Sequence, residues 1–209
     1  PLLARLPECM ASAVEHRNDI QPLLEWASVL VIGPGMGTDA WGEQLLHACL
    51  AAGKPMLLDA DALNLLATRF SGHPPAKGTT RILTPHPAEA ARLLATTTAA
   101  VQRDRFSSVQ ELARRYSASV VLKGNGSLVS DGERTGLCPA GNPGMASGGM
   151  GAVLSGVIGS LLAQGLTASA ATDLGVTLHA TAADLAAAEQ GERSLLATDL
   201  MREMIGLLR

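Results

Sequence analysis

The sequence predicts an α/β fold, with a central, mostly parallel sheet and helices on both faces. Short apolar runs alternate with longer amphipathic stretches, which is the pattern of parallel strands joined by helices. The runs are apolar at almost every position, which is typical of strands buried on both faces. Aromatic residues make up only 2% of the chain and hydrophobic residues 47%, so aliphatic side chains must build the core. The 209 residues are of the right length for one domain, residues 1–209.

Each element is predicted from local pattern. Four apolar runs of four or five residues are predicted strands: residues 28–32, 55–58, 81–84 and 119–122. Helical spacing separates and follows them, at residues 40–52, 62–70, 87–95 and 101–117, so the repeating unit is βαβ. Asp131-Gly132 is a two-residue turn signal, which predicts a hairpin of residues 127–130 and 134–138. Three further helices are predicted over residues 147–165, 168–190 and 198–208, with Gly165 and Gly191 as stops.

Composition limits the classes of partner. The formal net charge is -3 and no basic stripe is present, so nucleic acid is not an expected partner. The three cysteines are widely spaced, without a C-x-x-C pair, which predicts neither disulfides nor zinc and favours the cytoplasm. The longest apolar stretch, Met150 to Ala163, is too short to span a membrane. No membrane association is expected.

The loops after the first two strands carry candidate ligand groups. The run Gly33 to Gly37 is neither a Rossmann fingerprint nor a P-loop, and it predicts either a ligand loop or a tight turn capped by Thr38 or Asp39. Asp59 and Asp61 follow the second strand. They could hold Mg²⁺ through water, or Asp61 could simply cap the next helix.

Three later loops carry a histidine, a lysine and a dense glycine run. His86 lies between two prolines that fix its backbone, and a role in ligand binding is favoured over a structural one. The run Lys123 to Ser127 places an ammonium beside two glycines, which suits an anion. Gly148, Gly149 and Gly151 precede a long apolar helix, whose N-terminal N–H groups bind phosphate readily. Because the carboxyl ends of parallel strands share one edge, five such loops together predict a phosphate-containing ligand.

The residues resemble the ADP- or ATP-dependent NAD(P)H-hydrate dehydratase family, a branch of the ribokinase-like fold, and resemble its bacterial, ADP-using members most. The matching strings are VLVIGPGMG (29–37), LLDADALNLL (57–66), LTPHPAEAARLL (83–94), VVLKGNGSLV (120–129) and GNPGMASGGMG (141–151). The last two strings are specific to the family, and the set covers nearly the whole chain.

The resemblance implies a role for each matching position. Gly37 and His86 would contact the hydrated nicotinamide substrate, NADHX or NADPHX, and Glu89 would help to order Mg²⁺, with Asp59 as a second candidate. The adenylate part of ADP would contact Lys123, Gly124, Asn125, Gly126 and Ser127, and the phosphates would lie against Gly151. The implied reaction transfers a phosphoryl group to the hydrate and then eliminates phosphate.

One departure from the family pattern falls at the catalytic position. The pattern continues G-[TM]-G-D, with the Asp as the catalytic base, whereas here Ala152 follows Gly151. A methyl group cannot accept a proton, so the resemblance implies severely reduced turnover. Nucleotide binding should be largely retained.

The second departure lies at the start of the chain. Residues 6–8 resemble a segment that lies just past the early strands of the family, so those strands and part of the substrate site are expected to be missing. An unpaired sheet edge would favour a homo-oligomer. Some bacterial members carry an NAD(P)H-hydrate epimerase domain upstream, which predicts fusion or partnership with one.

Two alternatives remain open. A sugar or vitamin kinase of the same fold would share the nucleotide loops and release a stable phosphorylated product. A catalytically silent nucleotide-binding protein is suggested by Ala152 and by the expected missing strands. The preferences for ADP or ATP, and for NADHX or NADPHX, are also open.

Overall fold

The computed structural model describes residues 6–70 and 79–209, and within these ranges a six-stranded sheet forms the centre. The strands stand in chain order across it. They are β1 (Leu30–Ile32), β2 (Met56–Leu58), β3 (Arg81–Leu83), β4 (Ser119–Leu122), β5 (Ser127–Ser130) and β6 (Thr135–Cys138). Strands β1 to β4 run parallel, and β4, β5 and β6 pair antiparallel. The predicted α/β class and the predicted hairpin are both confirmed.

Helices connect and flank these strands. They are α1 (Ile20–Trp26), α2 (Ala40–Ala51), α3 (Ala60–Thr68), α4 (Pro87–Leu94), α5 (Thr98–Arg103), α6 (Arg105–Tyr116), α7 (Met150–Ala163), α8 (Ala168–Gln190) and α9 (Asp199–Leu207). Short 3₁₀ turns lie at Arg17–Asp19, Pro143–Met145 and Glu192–Ser194. Gly165 and Gly191 follow α7 and α8 with φ of +96° and +84°, so both predicted stops are confirmed.

The structure differs from the predicted elements at several points, and the helix predicted over residues 147–165 begins only at Met150. Helix α1 had no prediction. The single helix predicted over residues 101–117 is two helices, because Asp104 leaves the helical region (φ -140°, ψ 81°) and its carboxylate accepts from Ser107 N at 3.0 Å, which caps α6. The helix predicted from residue 62 begins at Ala60, since Asp59 already occupies the N-cap position.

Side chains of the sheet alternate between two helical layers. One layer consists of α1 to α6 and covers Leu30, Ile32, Met56, Leu58, Leu83, Val120 and Leu122. The other consists mainly of α7 and α8 and covers Leu57, Ile82, Val121 and Val129. A third cluster joins α7, α8 and α9. The predicted burial on both faces is thus confirmed for β2, β3 and β4 but is wrong for β1, where Val31 is exposed. The carboxyl ends of β1 to β4 share one end of the sheet.

Strand β1 lies at a border of the sheet. Among the described residues it pairs only with β2, and Val31 keeps 43% of its surface exposed. Beside it lies an apolar groove of about 720 Å³, whose lining includes Met10, Leu23, Trp26 and Val29. The expected unpaired sheet edge is therefore present at β1 among the described residues, while the homo-oligomer stays a prediction. Within residues 6–70 and 79–209, none of the helices has the length and apolarity needed to cross a membrane.

Gly33, directly after β1, should tolerate no side chain. Its φ is +123°, and an added Cβ would lie 1.8 Å from the carbonyl oxygen of Asp59. We expect Gly33→Ala to lower the free energy of unfolding by about 3 kcal/mol, from crowding added to backbone strain. Gly35→Ala is the matched control, because Gly35 also has a positive φ (+70°) but has open space around it, and it should cost about 1 kcal/mol. Equal losses of unfolding free energy in the two variants, measured by urea unfolding, would show that crowding at Gly33 is unimportant.

Candidate functional site

The loop after β1 is held by the loop after β2. Gly37 N donates to Asp61 Oδ2 at 2.9 Å, and Asp39 caps α2 by accepting from Gly42 N at 3.0 Å. The reading of Asp61 as an N-cap is therefore wrong, because Asp61 lies inside α3 and its carboxylate fixes Gly37 instead. This contact leaves Gly37 half-buried at the open edge, where the resemblance placed the nicotinamide.

Asp59 is the centre of a buried polar cluster. It is 1% exposed; its Oδ1 accepts from Lys123 Nζ at 2.8 Å and its Oδ2 accepts from Ser155 Oγ at 2.9 Å. A buried charge is tolerated when it is paired and hydrogen-bonded. Ser155, fully buried in α7, was missed from the sequence, and the only local signal was a hydroxyl in an apolar helix.

His86 and Glu89 form a capping box at the start of α4. His86 Nδ1 accepts from Ala88 N at 3.1 Å and from Glu89 N at 3.3 Å. In return, Glu89 Oε2 accepts from His86 N at 2.8 Å. His86 Nε2 lies 3.4 Å from Glu89 Oε1, and with Nδ1 acting as an acceptor the ring proton belongs on Nε2. The ring is half-exposed and the Glu89 carboxylate is buried.

These contacts bear on the predicted magnesium ligands. Both oxygens of Asp59 already have donors, and Glu89 is engaged by His86. Across the parts of the chain that the structure describes, no three His, Cys, Asp or Glu side chains come close enough to hold a metal ion. The residues present therefore do not form a ready-made protein site for Mg²⁺.

The loop from Lys123 to Ser127 is braced by α6, which the sequence did not indicate. Arg105 Nη1 donates to Asn125 O at 2.6 Å and its Nη2 to Leu122 O at 3.2 Å. Ser127 Oγ donates to Gly124 O at 3.2 Å. Gly126 has a φ of +65°. The guanidinium of Arg105 thus shapes the loop from behind, and burial lowers its pKa.

The glycine run ends in an uncapped helix start. Gly149 is the N-cap of α7, with φ +90° and no side-chain cap hydrogen bond, so the first N–H groups of α7 have no side-chain acceptor there. Gly148 is exposed. A Cβ on Gly151 would lie 3.3 Å from Lys123 Nζ and 3.6 Å from Asp59 Oδ2. The Lys123 ammonium therefore lies close to the N-terminus of α7, and both groups favour the binding of an anion.

Helix α8 holds the segment that precedes the glycine run. Asp184 Oδ2 accepts from Gly141 N and its Oδ1 from Asn142 Nδ2, both at 2.9 Å. Asn142 Oδ1 accepts from Gly144 N at 3.0 Å. The sequence did not indicate this role for α8, because Asp184 lies more than 40 residues from these partners along the chain.

His179, also in α8, lies near the start of α7. It is 4% exposed, and its Nε2 has no hydrogen-bond partner within the described ranges. Burial is the main cause that lowers the pKa of His179 from 6.5 to about 4; Lys123 lowers it further, and a hydrogen bond with the Met150 backbone opposes the shift. The buried ring is thus neutral at pH 7.

The depressed pKa of His179 predicts a pH-dependent stability. The unfolded chain binds the proton below about pH 6.5 and the folded chain only below about pH 4, so stability is full above pH 6.5 and falls as the pH drops through that window. We expect a loss of about 3 kcal/mol in the free energy of unfolding. The free energy of unfolding, measured by urea unfolding at a series of pH values, should depend less on pH between pH 6.5 and pH 4 in His179→Gln than in the parent. His47→Gln, at an exposed position, should keep the pH dependence of the parent. Parallel slopes for both variants would contradict the prediction.

Ala152 is exposed in the first turn of α7, immediately after Gly151. The predicted site residues therefore fall into three contact groups at one edge: Gly37 with Asp61, His86 with Glu89, and Lys123 with Asp59 and Gly151. Lys123 N also donates to Pro85 O at 2.9 Å, which ties the loops after β3 and β4 together.

An open α/β sheet with a cation and an uncapped helix start at its carboxyl edge is typical of α/β proteins that bind phosphate-containing ligands such as nucleotides. The sequence model of the NAD(P)H-hydrate dehydratase family matches residues 1–205. The chain belongs to this family.

Individual proteins agree with this assignment. A bifunctional NAD(P)H-hydrate repair enzyme, Nnr, from Coxiella burnetii is 50% identical over 195 residues, which are 93% of this chain and 39% of that protein. The chain thus spans about two fifths of that relative's length. The crystal structure of an ADP/ATP-dependent NAD(P)H-hydrate dehydratase from Bacillus subtilis, co-crystallised with ATP/Mg²⁺ and soaked with CoA, has a TM-score of 0.84 and 27% identity, and the match covers 99% of this chain and 75% of that one. A ribokinase-like superfamily protein from Enterococcus faecalis has a TM-score of 0.88 and 27% identity, covering 100% and 72% of the two chains.

Proposed function

We propose that this chain carries the ADP-dependent dehydration of hydrated NADH and NADPH back to NADH and NADPH, with Ala152 limiting its rate. The observation that carries the proposal is that Lys123 Nζ lies close to Gly151 at the uncapped start of α7, in a chain of this family. Such a site stabilises the negative charge on a phosphoryl group during its transfer.

The proposed reaction balances as two steps. The hydroxyl oxygen of the hydrate forms a bond to the terminal phosphorus of ADP, the bond to AMP breaks, and the hydroxyl proton passes to a base. The C–O bond to the new phosphate ester then breaks, a proton leaves the neighbouring ring carbon, and the double bond returns. The sum is hydrate plus ADP giving NADH, AMP and orthophosphate. Phosphoryl transfer of this kind depends on positioning and on charge stabilisation.

The site residues divide between the two substrates. Gly37 and the half-exposed ring of His86 would contact the hydrated nicotinamide, and the loop from Lys123 to Ser127 would contact the adenylate part. Gly148, Gly149 and Gly151 would offer backbone N–H groups to the phosphates. The position of all three groups at one edge of the sheet supports this division.

Magnesium is best understood as part of the nucleotide substrate. The Bacillus protein was crystallised with ATP/Mg²⁺, and Mg²⁺ usually keeps several waters and uses substrate phosphates as ligands. Because Asp59 and Glu89 already have partners, we propose that they contact such an ion only through water. ADP is the proposed donor, and ATP is the alternative.

The wider setting is also proposed. A second activity of the epimerase type, acting on the same hydrates, is supported by the bifunctional relative. Pairing of two copies through the β1 edge is supported by the exposed apolar groove beside it. A cytoplasmic location is supported by the free cysteines, Cys49 and Cys138 being buried.

A silent nucleotide-binding protein is the second candidate, and Ala152 is the observation that favours it. The two functions separate in one assay: hydrated NADH is incubated with the protein and ADP/Mg²⁺, and recovery of the NADH absorbance is followed. The proposed function predicts slow recovery that requires ADP and protein together. A silent binder would bind ADP in calorimetry and give the same rate as buffer, even with Asp at position 152.

A further inference from the structure

Ser155 belongs to the site, although its side chain is too deep to reach a substrate. It is fully buried in α7, and its hydroxyl donates to Asp59 Oδ2 at 2.9 Å. The other oxygen of the same carboxylate, Oδ1, accepts from Lys123 Nζ at 2.8 Å. The three side chains therefore form a relay in the order Ser155, Asp59, Lys123.

The hydroxyl fixes the orientation of the carboxylate. While Ser155 occupies Oδ2, the carboxylate offers only Oδ1 to Lys123. Without that donor, Oδ2 would be a buried charged acceptor with no partner, which is costly, and the carboxylate would turn to offer both oxygens to the ammonium. The ammonium would then be drawn toward Asp59 and away from the open edge.

The Lys123 ammonium lies close to the start of α7. An ammonium carries three N–H donors, and among the described residues Asp59 is the one side chain that accepts a hydrogen bond from Lys123. The Lys123 side chain is 21% exposed, whereas the Asp59 side chain is 2% exposed. A Cβ on Gly151 would lie 3.3 Å from Lys123 Nζ and 3.6 Å from Asp59 Oδ2, so a side chain here would crowd the pair, and an anion would meet the remaining donors on the exposed side of the ammonium.

We infer that Ser155 is a positioning residue, acting through Asp59 to hold the Lys123 ammonium as a phosphate-binding group at the start of α7. The inference deepens the proposed function and rests on it. Lys123 binds the phosphates of the nucleotide, while the rest of its loop contacts the nucleoside. Ser155 sets affinity for charge, not for the base.

The test is calorimetric titration with three probes: ADP, adenosine and inorganic pyrophosphate. Ser155→Ala should raise the Kd for ADP and pyrophosphate about tenfold, the lower range for a hydrogen bond to a charged group, and should leave adenosine within about twofold. Ser155→Thr keeps the hydroxyl and should restore binding to within about threefold. Ser160→Ala, the same change at an exposed position of α7, is the matched control and should change nothing. Circular dichroism confirms folding of each variant.

The remaining outcomes are separable. A folded Ser155→Ala variant that binds ADP like the parent, or that loses ADP and adenosine equally, overturns the relay and leaves the proposed function intact. A parent protein that binds pyrophosphate but not ADP overturns the proposed function, and the relay is then judged by the pyrophosphate titration alone. A parent that binds neither overturns both.

Discussion

Ala152→Asp should raise the rate of hydrated NADH dehydration about 10²- to 10⁴-fold, the range that a positioned general base contributes. Position 152 lies in the first turn of α7, next to Gly151 and exposed at the open edge. A carboxylate there can accept the hydroxyl proton of the hydrate. It also lies at the positive end of the helix, so the substitution should not destabilise the fold.

The comparison variant is Ala152→Asn, which has nearly the same shape and no basic carboxylate. It should remain at the rate of the parent chain. Binding of ADP should weaken slightly in Ala152→Asp, because a carboxylate beside anionic phosphates repels them. Equal kcat values for the Asp and Asn variants, with ADP still bound, would show that position 152 holds no base in this protein.

Lys123→Met should be the most destabilising of the site substitutions, lowering the free energy of unfolding by about 3–5 kcal/mol. It removes the cation from Asp59, whose side chain is 2% exposed, and so leaves a buried carboxylate without its counter-ion. Nucleotide binding should fall as well, since the ammonium at the start of α7 is lost. Urea unfolding followed by circular dichroism measures the stability.

Two further variants identify the cause. The double variant Lys123→Met with Asp59→Asn removes both charges and should recover most of the lost stability, though not the nucleotide affinity. Arg134→Met breaks the pair of Arg134 and Asp131, 3.6 Å apart with side chains 82% and 26% exposed, and should cost less than about 1 kcal/mol. If Lys123→Met cost no more than Arg134→Met, the buried pair would have no special weight.

Local pattern was sufficient for most of the fold. The apolar runs before Gly33, Asp59 and Lys123 are strands that end where the sequence indicated, because continuous apolarity and a turn or charge after it are local signals. The same signals fail where a single side chain decides. Asp104 interrupts a helical pattern by capping α6 itself, and nothing in the periodicity separates that case from an exposed helical Asp.

The site divides in the same way. Its loops were predictable, since every parallel strand delivers its following residues to one edge. Its contacts were not: Lys123 and Ser155 reach Asp59 from 64 and 96 residues along the chain. Position in the three-dimensional fold, and not spacing, made Ser155 a partner of Asp59 and made Asp61 the anchor of Gly37.

The most direct test of the proposed chemistry is the product balance of the Ala152→Asp variant. Hydrated NADH is incubated with ADP/Mg²⁺, and NADH, AMP and orthophosphate are quantified together by absorbance and chromatography. A dehydratase that works through phosphoryl transfer must give the three products in equal amounts, with none formed when ADP is left out. A stable phosphorylated product without NADH would identify a kinase, and NADH formed without AMP would contradict phosphoryl transfer at this site.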